Sequence, residues 1–113
     1  MTKACNLTEG HCVPCEGGIP ALSSEEVEVF AKQLHDDWVV AEDNKSITRK
    51  ITFKGFAKVV MYVNALSWMA QQEQHHADVS FGYGYCNITY STHAIDGLST
   101  NDFICAAKAD ALL

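Results

Sequence analysis

No stretch of this 113-residue chain approaches the run of about 20 apolar residues that a membrane-spanning helix needs. The first twenty residues, Met1 to Pro20, likewise hold no apolar run long enough for a signal peptide. A cytoplasmic location is expected. Basic residues are scarce: eight Lys and Arg stand against fourteen Asp and Glu, a net charge of −6. The long-range field therefore repels phosphate backbones and anionic lipid, so neither nucleic acid nor a membrane is an expected partner. Cysteine occurs in an odd number, five, which without a secretion signal argues against a disulfide framework and for reduced thiols. Internal repeats and low-complexity segments are lacking.

What is present is one domain's worth of chain, 48% hydrophobic and 19% charged, the balance of a globular protein. Residues 1–20 show no periodicity and carry His11-Cys12-Val13-Pro14-Cys15, then Glu16-Gly17-Gly18-Ile19-Pro20. They read as a flexible Cys-containing tail, and residues 21–113 as the folded domain. Ser23 and Glu26 form a capping box, followed by Val27, Phe30, Ala31 and Leu34 at helical spacing, so a first helix is predicted to end near Leu34 to Asp36. Trp38 to Glu42, a turn at Asp43-Asn44-Lys45, and the alternating stretch Ser46 to Phe53 make a hairpin. A long helix is predicted from Gly55 to Gln74, with Phe56, Val59, Val60, Val63, Leu66 and Ala70 on one stripe. A second apolar set, Met61, Tyr62, Ala65, Trp68 and Met69, is wider than a small sheet can cover and predicts a homo-oligomer, dimer or tetramer.

Val79 to Gly82 and Tyr85 to His93 read as a second hairpin, with Cys86, Ile88, Tyr90 and Thr92 facing one way and His93 on the more polar face. Cys86 and Cys105 read as small buried hydrophobes. Ser99 with Asp102 marks the start of a last helix. Helices alternating with hairpins, α-β-β-α-β-β-α, predict an α+β domain: a four-stranded antiparallel sheet with three helices on one face.

Three of the five histidines fall at element boundaries, His75 and His76 after the long helix and His93 after the last strand. Several imidazoles in one pocket supply both a proton donor and an acceptor near neutral pH. The stretch Glu73-Gln74-His75-His76-Ala77-Asp78, then Ile88-Thr89-Tyr90-Ser91-Thr92-His93, then Gly97-Leu98-Ser99 and Asn101-Asp102, resembles the signature of the pterin-4a-carbinolamine dehydratases. In that family a helix ends in His-His-Pro, a strand ends in Ser-Thr-His, and Gly-Leu-(Ser/Thr) with a later Asp opens the last helix. The likeness extends from Ser23 to Leu113, including Trp38 and the step Phe53-Lys54-Gly55-Phe56, and the tail resembles that of bacterial members accompanying phenylalanine hydroxylase. Two positions depart from the pattern: Ala77 replaces the usual proline, and Gln71 stands where many members place an acidic residue four before the first histidine, with Glu73 two before it.

The resemblance implies a hydro-lyase that dehydrates 4a-hydroxytetrahydrobiopterin to a quinonoid dihydropterin and water, supporting tetrahydrobiopterin recycling after aromatic amino acid hydroxylation. It implies His75 and His93 as acid catalysts at the hydroxyl, His76 holding the pterin, and Gln74, Ser91, Thr92 and Ala94 lining the ring's hydrogen-bonding edge. No metal and no cofactor are implied. Rival readings are zinc held by Cys5, His11, Cys12 and Cys15, whose ligands are crowded and lack a second pair farther on, and a metal on His75, His76 and His93. Family members in animals also act as dimerisation cofactors for a transcription factor, which makes a binding module the alternative of a different class. Phe81, Tyr83, Tyr85 and Tyr90 could stack nucleobases, but beside acidic charge they read as sheet packing.

Overall fold

The computed structural model describes residues 7–12 and 20–113. Its elements are α1 (Ser24–Ala31), β1 (Val39–Val40), β2 (Ile47–Thr52), α2 (Ala57–Glu73), β3 (Asp78–Gly82), β4 (Tyr85–Tyr90) and α3 (Thr100–Ala111). The strands form one antiparallel sheet in the order β1-β2-β4-β3, so the α+β architecture expected from alternating hairpins and helices is the one observed. The central strands pair from Ile47 opposite Tyr90 to Thr52 opposite Tyr85. Ile47, Arg49 and Ile51 share a buried face with Cys86, Ile88 and Tyr90, the period-two burial of a sheet covered on one side.

Helix boundaries shift inward from the sequence expectation for local reasons. The Ser23–Glu26 capping box is present, the Ser23 amide donating to Glu26 and the Glu26 amide to the Ser23 hydroxyl. α1 stops at Ala31 because Gln33 and Leu34 donate to carbonyls three residues back, tightening the last turn, while Leu34 stays buried. α2 starts at Ala57 because Gly55 adopts φ +96°, outside the helical region. Its buried face is Val59, Tyr62, Leu66, Met69 and Ala70. That stripe draws on both apolar sets read from the sequence, and it leaves Phe56, Met61 and Trp68 exposed.

α3 is buried on nearly every side, from Asn101 to Ala107 and again at Ala109. Such a helix must be covered all round. Phe103 stacks on Phe30 of α1 at 5.3 Å between ring centroids, and the Tyr62 hydroxyl of α2 donates to the Ala109 carbonyl at 2.8 Å. Another side is covered by residues 7–12: Leu7 is buried, and a Cβ at Gly10 would meet Ile104 Cδ1 at 3.2 Å. Part of the segment expected as a tail is thus built into the core, beginning with the short 3-10 turn Leu7–Glu9. Its apolar content is too small to show helical or strand periodicity, which is why the segment gave no sign of packing.

Candidate active site

Two turns bring the boundary histidines together. After α2, Gln74 takes a left-handed conformation (φ 54°), and its amide and that of His75 both return to the Ala70 carbonyl. Gln74 therefore turns the chain out of α2, and His75 and His76 follow directly on that turn. The second turn corrects the expected strand: β4 ends at Tyr90, and His93 opens a short 3-10 turn, His93–Ile95, closed by Asp96 at φ 50°. The strand ends because Thr92 pairs across the turn with Gly97, whose carbonyl accepts the Thr92 amide at 2.8 Å. Gly97 is required there, since a Cβ would lie 2.6 Å from Ala21 Cβ.

The turns enclose a cavity of about 460 Å³, within the range of small-molecule sites. Gln74, His75, His76, Ser91, Thr92, His93 and Ala94 all line it, so the residues picked from the sequence meet at one place. Cys12, Glu73 and Asn101 complete the wall. His76 and His93 are exposed, and their rings make no hydrogen bond among the described residues. His76 also borders a smaller cavity of about 250 Å³ beside Gln71 and Ala77.

His75 differs from both. Its Nε2 lies 2.6 Å from Oδ1 of Asp102, a carboxylate with no solvent exposure, and its ring stacks on Tyr90 at 6.0 Å and 9°. The other oxygen, Oδ2, accepts the Thr92 hydroxyl at 2.7 Å and the Ser99 amide at 2.9 Å. Because Thr92 gives its one hydroxyl hydrogen to Asp102, the 2.8 Å contact between Thr92 and Ser99 has Ser99 as donor. An ionised carboxylate only accepts, so Nε2 of His75 carries a proton and Nδ1 is the nitrogen left for proton exchange. Asp102 thus caps α3 and orients His75 at once.

Glu73, two residues before His75, ties the 7–12 segment to α3. Its carboxylate accepts the Cys12 amide at 2.8 Å and meets His11 Nδ1 at 3.2 Å and Lys108 Nζ at 3.5 Å. Burial acts to raise its pKa, but these donors together hold it below the ordinary value. Of the proposed tail zinc ligands, Cys5 and Cys15 lie outside the described residues. His11 and Cys12 turn to Glu73 and to Cys105, whose Sγ is 3.4 Å from that of Cys12. Sequence reasoning missed Cys12 and Asn101 as cavity residues, and read Asp102 only as a cap and a match to the family's later Asp. Cys12 reaches Glu73 across 61 positions, a separation that no local pattern reports.

Comparison with known proteins places the chain in a family. A family model described as Pterin 4 alpha carbinolamine dehydratase matches residues 20–112. A protein of Nitrosomonas europaea, provisionally named a pterin-4-alpha-carbinolamine dehydratase, is 51% identical over 112 residues, which are 99% of this chain and 97% of that protein. The crystal structure of a transcriptional coactivator/pterin dehydratase from Brucella melitensis aligns with a TM-score of 0.77 at 25% identity, over 81% of this chain and 97% of that chain. A pterin dehydratase-like protein identified as a RuBisCO assembly factor in the alpha-carboxysome shares the fold, with a TM-score of 0.60 at 23% identity over 69% of this chain and 90% of that one.

Proposed function

The chain belongs to the pterin-4a-carbinolamine dehydratase family, and from that premise we propose that its cavity dehydrates a 4a-hydroxytetrahydropterin to a quinonoid dihydropterin and water. The observation that carries the reading is the meeting of His75, His76 and His93 at one cavity, with His75 seated on a buried carboxylate. The fold alone does not carry it, since a relative of the same fold is named for assembly of another protein.

Elimination needs a proton delivered to the departing hydroxyl and another removed from the ring system. His75 and His93 act at the hydroxyl, and Asp102 supplies the counter-charge when His75 is the cation. His76 holds the pterin ring. Ser91 and the backbone at Gln74 and Ala94 serve the ring's hydrogen-bonding edge, and Thr92 forms part of the wall while its hydroxyl holds Asp102. A carbinolamine also loses water unaided, so the roughly 10²–10⁴-fold that positioned acid–base groups contribute is sufficient, without metal or cofactor.

The substrate class fits tetrahydrobiopterin recycling after aromatic amino acid hydroxylation, with a functional link to phenylalanine hydroxylase. The protein acts as a homo-oligomer, a reading supported by exposed Met61 and Trp68 on α2 and by Val79 and Phe81 on the edge strand β3, and the compartment that goes with pterin recycling is the cytoplasm. Among the described residues no helix is long and apolar enough to cross a membrane. Single-variant kinetics test the assignment of roles. His75→Ala and His93→Ala should lower kcat more than they change KM, and His76→Ala should raise KM more than it lowers kcat. The opposite split would reassign the acid to His76.

A further inference from the structure

At the edge of the same cavity, outside the His75–Asp102 hydrogen bonds, two cysteines stand within reach of each other. Cys12 Sγ lies 3.4 Å from Cys105 Sγ and 3.7 Å from the Asn101 carbonyl, and both thiols are free. Bond formation at about 2.05 Å needs the sulfurs to close by roughly 1.3–1.4 Å. The two are not equivalent. Cys105 is fully buried on α3, whereas Cys12 is half-buried and lines the cavity, where a small oxidant can reach it. The hydrogen bond with Cys12, followed by burial, pushes the Cys105 thiol far above its ordinary range, so Cys105 holds its proton until a sulfenic acid forms beside it, and Cys12 is the sulfur that meets the oxidant first.

We propose that Cys12 and Cys105 are a hydroperoxide-sensitive pair whose disulfide ties the 7–12 segment to α3 at the cavity wall. The sulfur of Cys12 attacks the peroxide O–O bond and becomes a sulfenic acid, and the peroxide leaves as an alcohol, or as water when it is hydrogen peroxide. The Cys105 sulfur gives up its proton and displaces the sulfenic hydroxyl, which departs as water as the S–S bond forms. Two thiols have then lost two electrons and one peroxide has gained them. At rest the segment is held by Leu7 and by the Glu73 carboxylate; oxidised, it is held covalently beside His75 and Asn101. The pairing does not depend on the dehydratase reading, because its test reads sulfur connectivity and not turnover.

The full chain is treated with a small excess of hydrogen peroxide, quenched by alkylation and mapped by mass spectrometry, with a non-reducing gel alongside. The expected product is an intramolecular link between the Cys12 and Cys105 peptides, lighter by two hydrogens. A loop spanning 93 positions should migrate faster, and dithiothreitol should reverse the shift. In the oxidised protein the Cys12 amide should exchange more slowly with deuterium. Cys12→Ser should abolish the fast band, and Cys105→Ala should abolish it independently, so a folding failure in one variant leaves the other as the test. Links joining Cys12 to Cys5 or Cys15 in place of Cys105, or Cys12 passing to sulfinic acid with no link, would overturn the proposal.

Discussion

Replacing Asp102 by Asn keeps the side chain's shape and removes its charge at a position with no solvent exposure. The carboxylate takes three donors: His75 Nε2 on one oxygen, and the Thr92 hydroxyl with the Ser99 amide on the other. A hydrogen bond to a charged group contributes about 1.5–3 kcal/mol and a neutral one about 0.5–1.5, so the exchange costs on the order of 1 kcal/mol per bond, or about 3 in all. A domain of this size has about 5–15 kcal/mol, and the variant should fold. To keep two donors satisfied the Asn oxygen must face Thr92 and Ser99, which turns its NH₂ toward His75. His75 must then accept at Nε2 and carry its proton on Nδ1, the tautomer opposite to the native one. The imidazolium also loses its counter-charge, so kcat should fall by about 10–100-fold, part of the range that acid–base groups contribute, while KM moves much less. Chemical denaturation reads the stability, ¹⁵N spectra of the imidazole read the tautomer, and loss of a 4a-hydroxytetrahydropterin by absorbance reads turnover. Unchanged kcat with only the stability loss would make Asp102 a cap and nothing more. An unchanged tautomer would refute the hydrogen-bond assignment itself.

Other outcomes follow from the same contacts. Glu73 has a folded pKa below its ordinary value of about 4.5, so its contribution is complete above that value and is lost as pH falls through the lower folded one. The difference in melting temperature between wild type and Glu73→Gln should therefore shrink as the solution is acidified through that window; a difference that persists at the lowest pH would contradict it. Deleting residues 1–12 should destabilise the domain by about 1.5–3 kcal/mol, the worth of burying Leu7, measured by urea titration. No loss would mean that the segment does not pack on α3. Gly97→Ala should cost about 1–3 kcal/mol by forcing its Cβ against Ala21, and it should disturb the His93 turn; wild-type stability would show that the Ala21 contact yields freely.

Local features were legible because their causes are local. Both capping boxes act over three residues, Ser23 with Glu26 and Ser99 with Asp102, and both are present. Alternation in β2 and β4 gave the buried face of the sheet. The α2 stripe was harder, because apolar residues surround much of that helix and only the tertiary cover decides that Met69 is buried and Trp68 is not. Alternation was carried too far at His93, since the backbone pairing of Thr92 with Gly97 ends the strand without changing the polar pattern. The bond from His75 to Asp102 spans 27 positions and that from Cys12 to Cys105 spans 93, and neither separation leaves a periodic trace. The family pattern brought the three histidines into one site; the carboxylate that orients His75 emerged only from the packing of α3.

The central claim is that the histidines at this cavity dehydrate a pterin carbinolamine without a metal. It is tested most directly by generating a 4a-hydroxytetrahydropterin and following its loss by absorbance with wild-type protein, with the His75→Ala/His93→Ala double variant, and with wild type after EDTA. The wild type should accelerate the loss with or without chelator, and the double variant should fall close to the uncatalysed rate. Full activity in the double variant, or activity abolished by EDTA and restored by added metal, would contradict the account.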